Sequence, residues 1–240
     1  MISYLAGLPR SGSTVLASIM NENPDVFVSS SSPLCNVLYH SHQLWQAQIA
    51  LKANPNPLAV HNSMSAIVPA FYADRTEKLI VDKAFSWGVS DNLSLLLQYA
   101  PEQPLFIVMT RNLDDVIASL TRIVLANPNN TFDQDFIGDR TPEAIRAHLC
   151  LDGGIVDVSV RSRDTLLSEY RDRCFVVEYE RLVASPKQLL NELYDFYGME
   201  QFTHNFDLIA NSNTDNDLVW GIPDMHKIKT SLSPTHSLQH

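Results

Sequence analysis

The sequence is poor in several features that would define common protein classes. Its three cysteines, Cys35, Cys150 and Cys174, are an odd number without a C-x-x-C pair, so they suggest neither a disulfide framework nor a zinc site. No apolar run approaches the roughly 20 residues that span a bilayer. Positive charge is also scarce, because 17 Lys and Arg face 27 Asp and Glu, for a formal net charge of −10. We therefore expect a cytoplasmic protein without a nucleic-acid or membrane partner, in which any anion site is local.

What the sequence does contain is an alternation of short β-branched runs with longer helical patterns. This alternation predicts a central parallel sheet of about five strands, flanked by helices in a three-layer α/β sandwich of the P-loop NTPase type. We expect one domain over 1–240, with helical acceptor-side segments at about 34–72 and 127–170 and a C-terminal loop at about 200–240. The predicted strands are Ile2–Ala6, Val26–Val28, Leu79–Val81, Leu105–Met109 and Phe175–Val177. The predicted helices are Ser13–Asn21, Leu34–Leu51, Leu58–Tyr72, Val89–Tyr99, Leu113–Leu125, Pro142–Tyr170 and Pro186–Tyr197.

The most informative segment is the turn 7–14 between the first predicted strand and helix. At such a junction, the unpaired N–H groups and the positive end of the helix dipole favour an anion. Glycines let the backbone approach the anion, while an arginine and several hydroxyls add donors. The segment reads Gly7, Leu8, Pro9, Arg10, Ser11, Gly12, Ser13 and Thr14.

The turn lacks the lysine of the nucleoside-triphosphatase motif, because Ser13 stands at that position. The run from Pro9 to Thr14 instead resembles the 5′-phosphosulfate loop of sulfotransferases, which use 3′-phosphoadenosine-5′-phosphosulfate (PAPS) as the sulfuryl donor. This resemblance implies that Pro9, Arg10, Ser11, Gly12, Ser13 and Thr14 bind PAPS or its product 3′-phosphoadenosine-5′-phosphate (PAP).

A second match supports the same family. The predicted strand 105–109 leads to Arg111, and Ser119 follows eight residues later on the next predicted helix. In sulfotransferases, an arginine and a serine so placed bind the 3′-phosphate of PAPS. The alternatives are a surface salt bridge from Arg111 to Asp114 or Asp115 and a solvent-facing serine.

Three further segments resemble the family. Lys83 follows the middle strand, where the resemblance implies a catalytic lysine that stabilises charge on the sulfuryl group together with Arg10; the alternative is a strand-end lysine in water. The Tyr179 segment resembles the late strand, which implies contact with the nucleotide. A basic C-terminal loop closes over the nucleotide in many members, and here the tail supplies His226 and the candidate cofactor ligands Lys227 and Lys229.

The chain departs from the family at the catalytic base. The carboxylate expected after the N-P-D-V segment 23–26 is absent, and four serines, 29–32, follow instead. The nearest ionisable replacements are His40 and His42. Histidine suits proton abstraction near neutral pH, so His40 is the candidate base, with a helix-surface histidine as the alternative.

These observations predict a PAPS-dependent sulfotransferase that requires no metal. The acceptor is expected to be a small molecule, sugar or peptide with a hydroxyl or an amine, in a cleft near Trp45, His61, Tyr72 and the stretch 127–155. Its identity and the oligomeric state are left open. Two alternatives remain: a small-molecule kinase or nucleoside triphosphatase that uses Asp82 for magnesium, and a noncatalytic nucleotide-binding protein of the same fold.

Overall fold

The computed structural model describes residues 1–232 and contains one five-stranded parallel sheet in that range. The strand order is β2-β3-β1-β4-β5, and every neighbouring pair is parallel. All five predicted strands are confirmed. Their bounds are β1 (Ile2–Gly7), β2 (Val26–Ser31), β3 (Leu79–Lys83), β4 (Phe106–Thr110) and β5 (Cys174–Glu178).

Helices cover both faces of this sheet, so the predicted α/β class and layering are confirmed. Alternate residues of each strand enter opposite cores: Leu5 and Ile107 pack on one face, whereas Tyr4 and Val108 pack on the other. Because both faces are buried, the strands have the continuous apolar character of a covered parallel sheet. Within residues 1–232, no helix is long and apolar enough to cross a bilayer. The helices are α1 (Ser13–Met20), α2 (Leu34–Ala47), α3 (Ile49–Ala53), α4 (Pro57–Phe71), α5 (Ser90–Tyr99), α6 (Leu113–Ala126), α7 (Pro142–Leu149), α8 (Ile155–Glu169), α9 (Tyr179–Ala184) and α10 (Pro186–Phe196).

Two of the predicted helices are each divided in the structure. The pattern 142–170 forms α7 and α8, because the chain turns through Gly153 at φ 77° and passes close to itself at Gly154. A Cβ on Gly154 would lie 2.8 Å from the Leu149 carbonyl oxygen. The pattern 34–51 breaks at Gln48, whose ψ of 118° is extended, and separates α2 from α3.

The carboxyl ends of the five strands meet at one edge of the sheet, where α/β proteins bind ligands. The last strand residues at this edge are Gly7, Ser31, Lys83, Thr110 and Glu178. Four segments singled out in the sequence, the glycine turn and those around Lys83, Arg111 and Tyr179, therefore start from the same edge.

Candidate anion-binding site

The turn after β1 needs glycine at both ends for steric reasons. Gly7 has φ 110°, and a Cβ there would lie 2.2 Å from the Met109 carbonyl oxygen on β4. Gly12 has φ 88° and precedes α1, where a Cβ would lie 2.8 Å from the ring of Tyr179. The backbone between them is therefore held tightly against β4 and the start of α9.

No acidic side chain occupies the first turn of α1, and no side-chain hydrogen bond caps its N-terminus. The half-buried Ser13 and Thr14 form the start of this helix. Ser11 is fully buried, and its hydroxyl donates to the Leu8 carbonyl oxygen inside the turn. The N-terminal amides of α1 thus remain the donors that an anion would meet.

Arg10 connects the turn to two distant segments. Its φ of 57° is left-handed, a conformation that residues other than glycine seldom adopt. Its Nε lies 3.4 Å from Ser119 Oγ on α6, and its Nη1 donates to the Met225 carbonyl oxygen at 2.7 Å. Burial lowers the pKa of Arg10, nearby Arg111 and Arg122 lower it further, and Asp217 opposes the shift. Arg122, which the sequence analysis did not single out, adds to this concentration of positive charge.

Arg111 lies beside the same turn. Its Nη1 donates to the Arg10 carbonyl oxygen at 2.8 Å, and its guanidinium carbon lies 4.2 Å from the ring centre of Tyr179. Its buried Nε has no hydrogen-bond partner among residues 1–232. A buried donor without a partner is costly, and a bound phosphate oxygen would satisfy it. The site therefore fits an anionic group at Arg111.

Lys83 and Asp82 end β3 but point to opposite faces of it. Lys83 is 8% exposed, and burial lowers its pKa, whereas the carboxylates of Asp215 and Asp217 oppose the shift.

Asp82 is fully buried and accepts hydrogen bonds from Ser32, from Tyr72 Oη at 2.5 Å and from Trp87 Nε1 at 2.8 Å. The Asp82 carboxyl is therefore already used in three hydrogen bonds within the fold. Tyr72, which was predicted to line an acceptor cleft, is instead part of this buried network.

The histidines considered as bases lie along α2. His40 is exposed, and its ring contacts Tyr39. His42 pairs with Gln46 Nε2 at 2.8 Å and faces Tyr99 of α5. These contacts do not involve the glycine turn, and the assignment of His40 stays a prediction.

The C-terminal segment 200–232 folds back over the strand edge. Asp215 accepts from the Ser31 hydroxyl at 2.9 Å, at the end of β2. Trp220 stacks on Phe132 with 5° between the ring planes. Ile222 is 1% exposed. This docking places the Met225 carbonyl oxygen where it accepts the hydrogen bond from Arg10.

The two lysines predicted to contact the cofactor are exposed on this segment. Lys227 is 71% exposed at the side chain and lies 3.4 Å from Asp224 Oδ2, and Lys229 is exposed as well. Their predicted role stays a prediction. The sequence analysis missed Asp215, which contacts Ser31 from 184 residues away along the chain, and Asp217, which bonds to His226.

The fold defines a P-loop-like α/β protein, with a candidate anion site at the carboxyl edge of its sheet. A family profile described as the sulfotransferase family matches residues 4–204, and the chain belongs to that family. Family membership supports a sulfuryl-transferring enzyme. No curated protein matches the chain.

Solved sulfotransferases share the fold. The sulfotransferase domain of the Synechococcus PCC 7002 olefin synthase aligns with a TM-score of 0.62 at 22% identity, covering 97% of this chain and 84% of that one. The sulfotransferase domain of the curacin biosynthetic pathway aligns with a TM-score of 0.60 at 16% identity, covering 97% and 87%. Mouse sulfotransferase SULT7A1, complexed with PAP, aligns with a TM-score of 0.51 at 15% identity, covering 91% and 74%.

Proposed function

We propose that this protein transfers a sulfuryl group from PAPS to a hydroxyl or amine of a small-molecule, sugar or peptide acceptor. The observation that carries the proposal is the convergence of the glycine turn, Arg10 and Arg111, with its unpaired buried Nε, at one strand edge. PAPS supplies the activated sulfuryl group. The PAP-bound mouse relative supports this choice of donor.

The residues divide into two anion-binding groups. The turn from Pro9 to Thr14 and the N-terminus of α1 face the 5′-phosphosulfate, whereas Arg111 and Ser119 hold the 3′-phosphate. Arg10 joins the two groups, since it comes from the turn and donates toward Ser119. The ring of Tyr179, between Gly12 and Arg111, packs beside the nucleotide.

Charge neutralisation falls to Arg10 and Lys83. Negative charge grows on the leaving phosphate and on the sulfuryl oxygens during transfer, and preorganised donors in a buried site stabilise it most effectively. Lys83 is buried at the end of β3, next to the turn, and is suited to this role. The magnesium-dependent kinase alternative is disfavoured, because the turn has no lysine and Asp82 is already hydrogen-bonded by Ser32, Tyr72 and Trp87.

Calorimetric titration with PAP and with ATP–magnesium tests the donor. We expect PAP to bind and Arg111→Ala to weaken that binding by about 10- to 150-fold, because a charged hydrogen bond contributes about 1.5–3 kcal/mol. Arg161→Ala is the control, since Arg161 makes an exposed ion pair with Asp157 on α8. Tight binding of ATP–magnesium without binding of PAP would refute the proposal.

Transfer itself is tested with ³⁵S-labelled PAPS and a panel of alcohols, amines, sugars and tyrosine-containing peptides. We expect a labelled product with at least one acceptor class and a large loss of rate in Lys83→Ala. Binding of PAP without any labelled product would instead support the noncatalytic nucleotide-binding alternative.

A further inference from the structure

In the C-terminal segment, the ring of His226 lies against the carboxylates of Asp215 and Asp217. His226 Nδ1 lies 2.6 Å from Asp217 Oδ1 and 3.5 Å from Asp215 Oδ2. The backbone N–H of His226 donates to Asp217 Oδ2 at 2.9 Å. Asp217 therefore fixes both the backbone and the ring of His226.

This arrangement determines which ring nitrogen can accept a proton. A carboxylate accepts hydrogen bonds only, so Nδ1 carries the hydrogen that Asp217 receives. In the neutral ring, Nε2 then keeps its lone pair. A carboxylate that orients an imidazole in this way is the recurring arrangement for a histidine base.

The pair also lies at the strand edge and not on a remote surface. Asp215 is anchored to Ser31 at the end of β2. The Met225 carbonyl, one residue before His226, accepts from Arg10. Burial lowers the pKa of Arg10 and of Lys83, and the Asp217 carboxylate partly opposes both shifts.

We propose that His226, oriented by Asp217, is the general base that takes the proton of the acceptor. The proposal rests on the proposed sulfotransferase function. His226 Nε2 receives the acceptor proton as the acceptor oxygen or nitrogen forms its bond to sulfur. The bond between sulfur and the 5′-phosphate oxygen breaks, and its electron pair stays on that oxygen, next to Arg10 and Lys83. His226 thereby supplies the base that the missing carboxylate after the N-P-D-V segment would provide.

Two carboxylates, those of Asp215 and Asp217, lie beside the imidazole. Both come from the same segment as His226, and the carbonyl of the preceding residue, Met225, accepts a hydrogen bond from Arg10 of the turn. The two carboxylates are in direct contact with Nδ1, so they also stabilise the product of the proton transfer. Asp217 is thus a positioning residue, and its effect passes through His226.

The first test is a tautomer measurement that needs neither donor nor acceptor. In ¹⁵N-histidine-labelled protein at alkaline pH, we expect the His226 ring, assigned by the signals lost in His226→Gln, to carry its hydrogen on Nδ1. Asp217→Asn should shift this ring toward the Nε2–H tautomer, because the asparagine NH2 group can donate a hydrogen bond to an unprotonated Nδ1, whereas a carboxylate can only accept one. Asp224→Asn, the same change at an exposed position of the same segment, should leave the signals unchanged. A wild-type ring protonated on Nε2 overturns the proposal.

The second test separates base catalysis from donor binding. PAP release from PAPS is measured with p-nitrophenol, whose proton is already acidic, and with the aliphatic alcohol of the panel that reacts fastest. We expect His226→Gln to lose about 10²- to 10⁴-fold in rate with the alcohol and clearly less with p-nitrophenol. The acid limb of the pH–rate profile should disappear, and PAP affinity should be unchanged.

The outcomes distinguish the two proposals. Failure of wild-type protein to bind PAP refutes the donor and thus the proposed function. Two outcomes with active wild-type protein overturn the role of His226 alone. In the first, His226→Gln loses rate equally with both acceptors. In the second, the rate with the alcohol is lost only in His40→Gln. Wild-type protein that binds PAP and releases none from PAPS with either acceptor overturns the role of His226 as well.

Discussion

At the scale of single residues, Gly12 combines two constraints that can be separated experimentally. Its φ of 88° disfavours any side chain, and a Cβ would also meet the Tyr179 ring at 2.8 Å. Gly153 has a similar φ of 77° with nothing within 4 Å of its Cβ position. A side chain at Gly12 would therefore add a steric clash to the backbone strain, whereas one at Gly153 would cause backbone strain alone.

We expect Gly153→Ala to cost about 1 kcal/mol of unfolding free energy through backbone strain alone. Gly12→Ala should cost more and should also weaken PAP binding, because displacement of Tyr179 disturbs its contact with Arg111. Denaturant unfolding and calorimetry measure the two effects. Equal losses of stability and unchanged PAP affinity in the two variants would show that the close packing at Gly12 is unimportant.

At the scale of secondary-structure elements, the Asp82 carboxyl joins β3 to three segments. Its donors are Ser32 just before α2, Tyr72 just after α4, and Trp87 before α5. Burial raises the pKa of Asp82 above its ordinary value of 3.8, although the three donors oppose the shift. Folded protein thus binds this proton more tightly than unfolded protein does.

The sign of the pH dependence follows from this difference in proton affinity. Because the folded pKa is raised, stability from Asp82 is greatest below the ordinary carboxyl pKa and falls as the pH rises through the folded value. Asp82→Asn removes the ionisation, so its free energy of unfolding should decline less over that range. Urea unfolding of both proteins at a series of pH values measures the difference. Parallel pH profiles would contradict the raised pKa.

The elements themselves were largely predictable because their patterns are local. Continuous apolar runs identified all five strands, since both faces of the sheet are covered. The helix α9 was missed, because its six residues continue directly from β5 and are too few to show helical periodicity. The division of 142–170 was missed for a different reason: the periodicity persists across the turn, and only the close approach at Gly154 shows that the chain must bend.

At the scale of the whole molecule, the site depends on contacts between the two ends of the chain. The turn and Arg111 could be singled out as candidates from the sequence, because the residues that suggest an anion site there lie in short motifs. The Asp217–His226 pair could not be placed, because 184 residues separate Ser31 from Asp215 and no local pattern reports that contact. The sequence analysis identified this C-terminal tail only as a basic loop at about 200–240.

The docking of this tail can be tested at Ile222, which is 1% exposed, with Val219, 71% exposed, as its matched control. Truncation of a buried isoleucine costs about 2–5 kcal/mol, which here should increase local opening by about 30-fold or more. We expect Ile222→Ala to accelerate amide hydrogen exchange in residues 211–226, with little change in β1 or β4, and Val219→Ala to resemble wild type. Added PAP should slow exchange in wild-type protein, because the tail contacts Arg10 through Met225. Equal exchange in the two variants would show that Ile222 does not hold the tail over the strand edge.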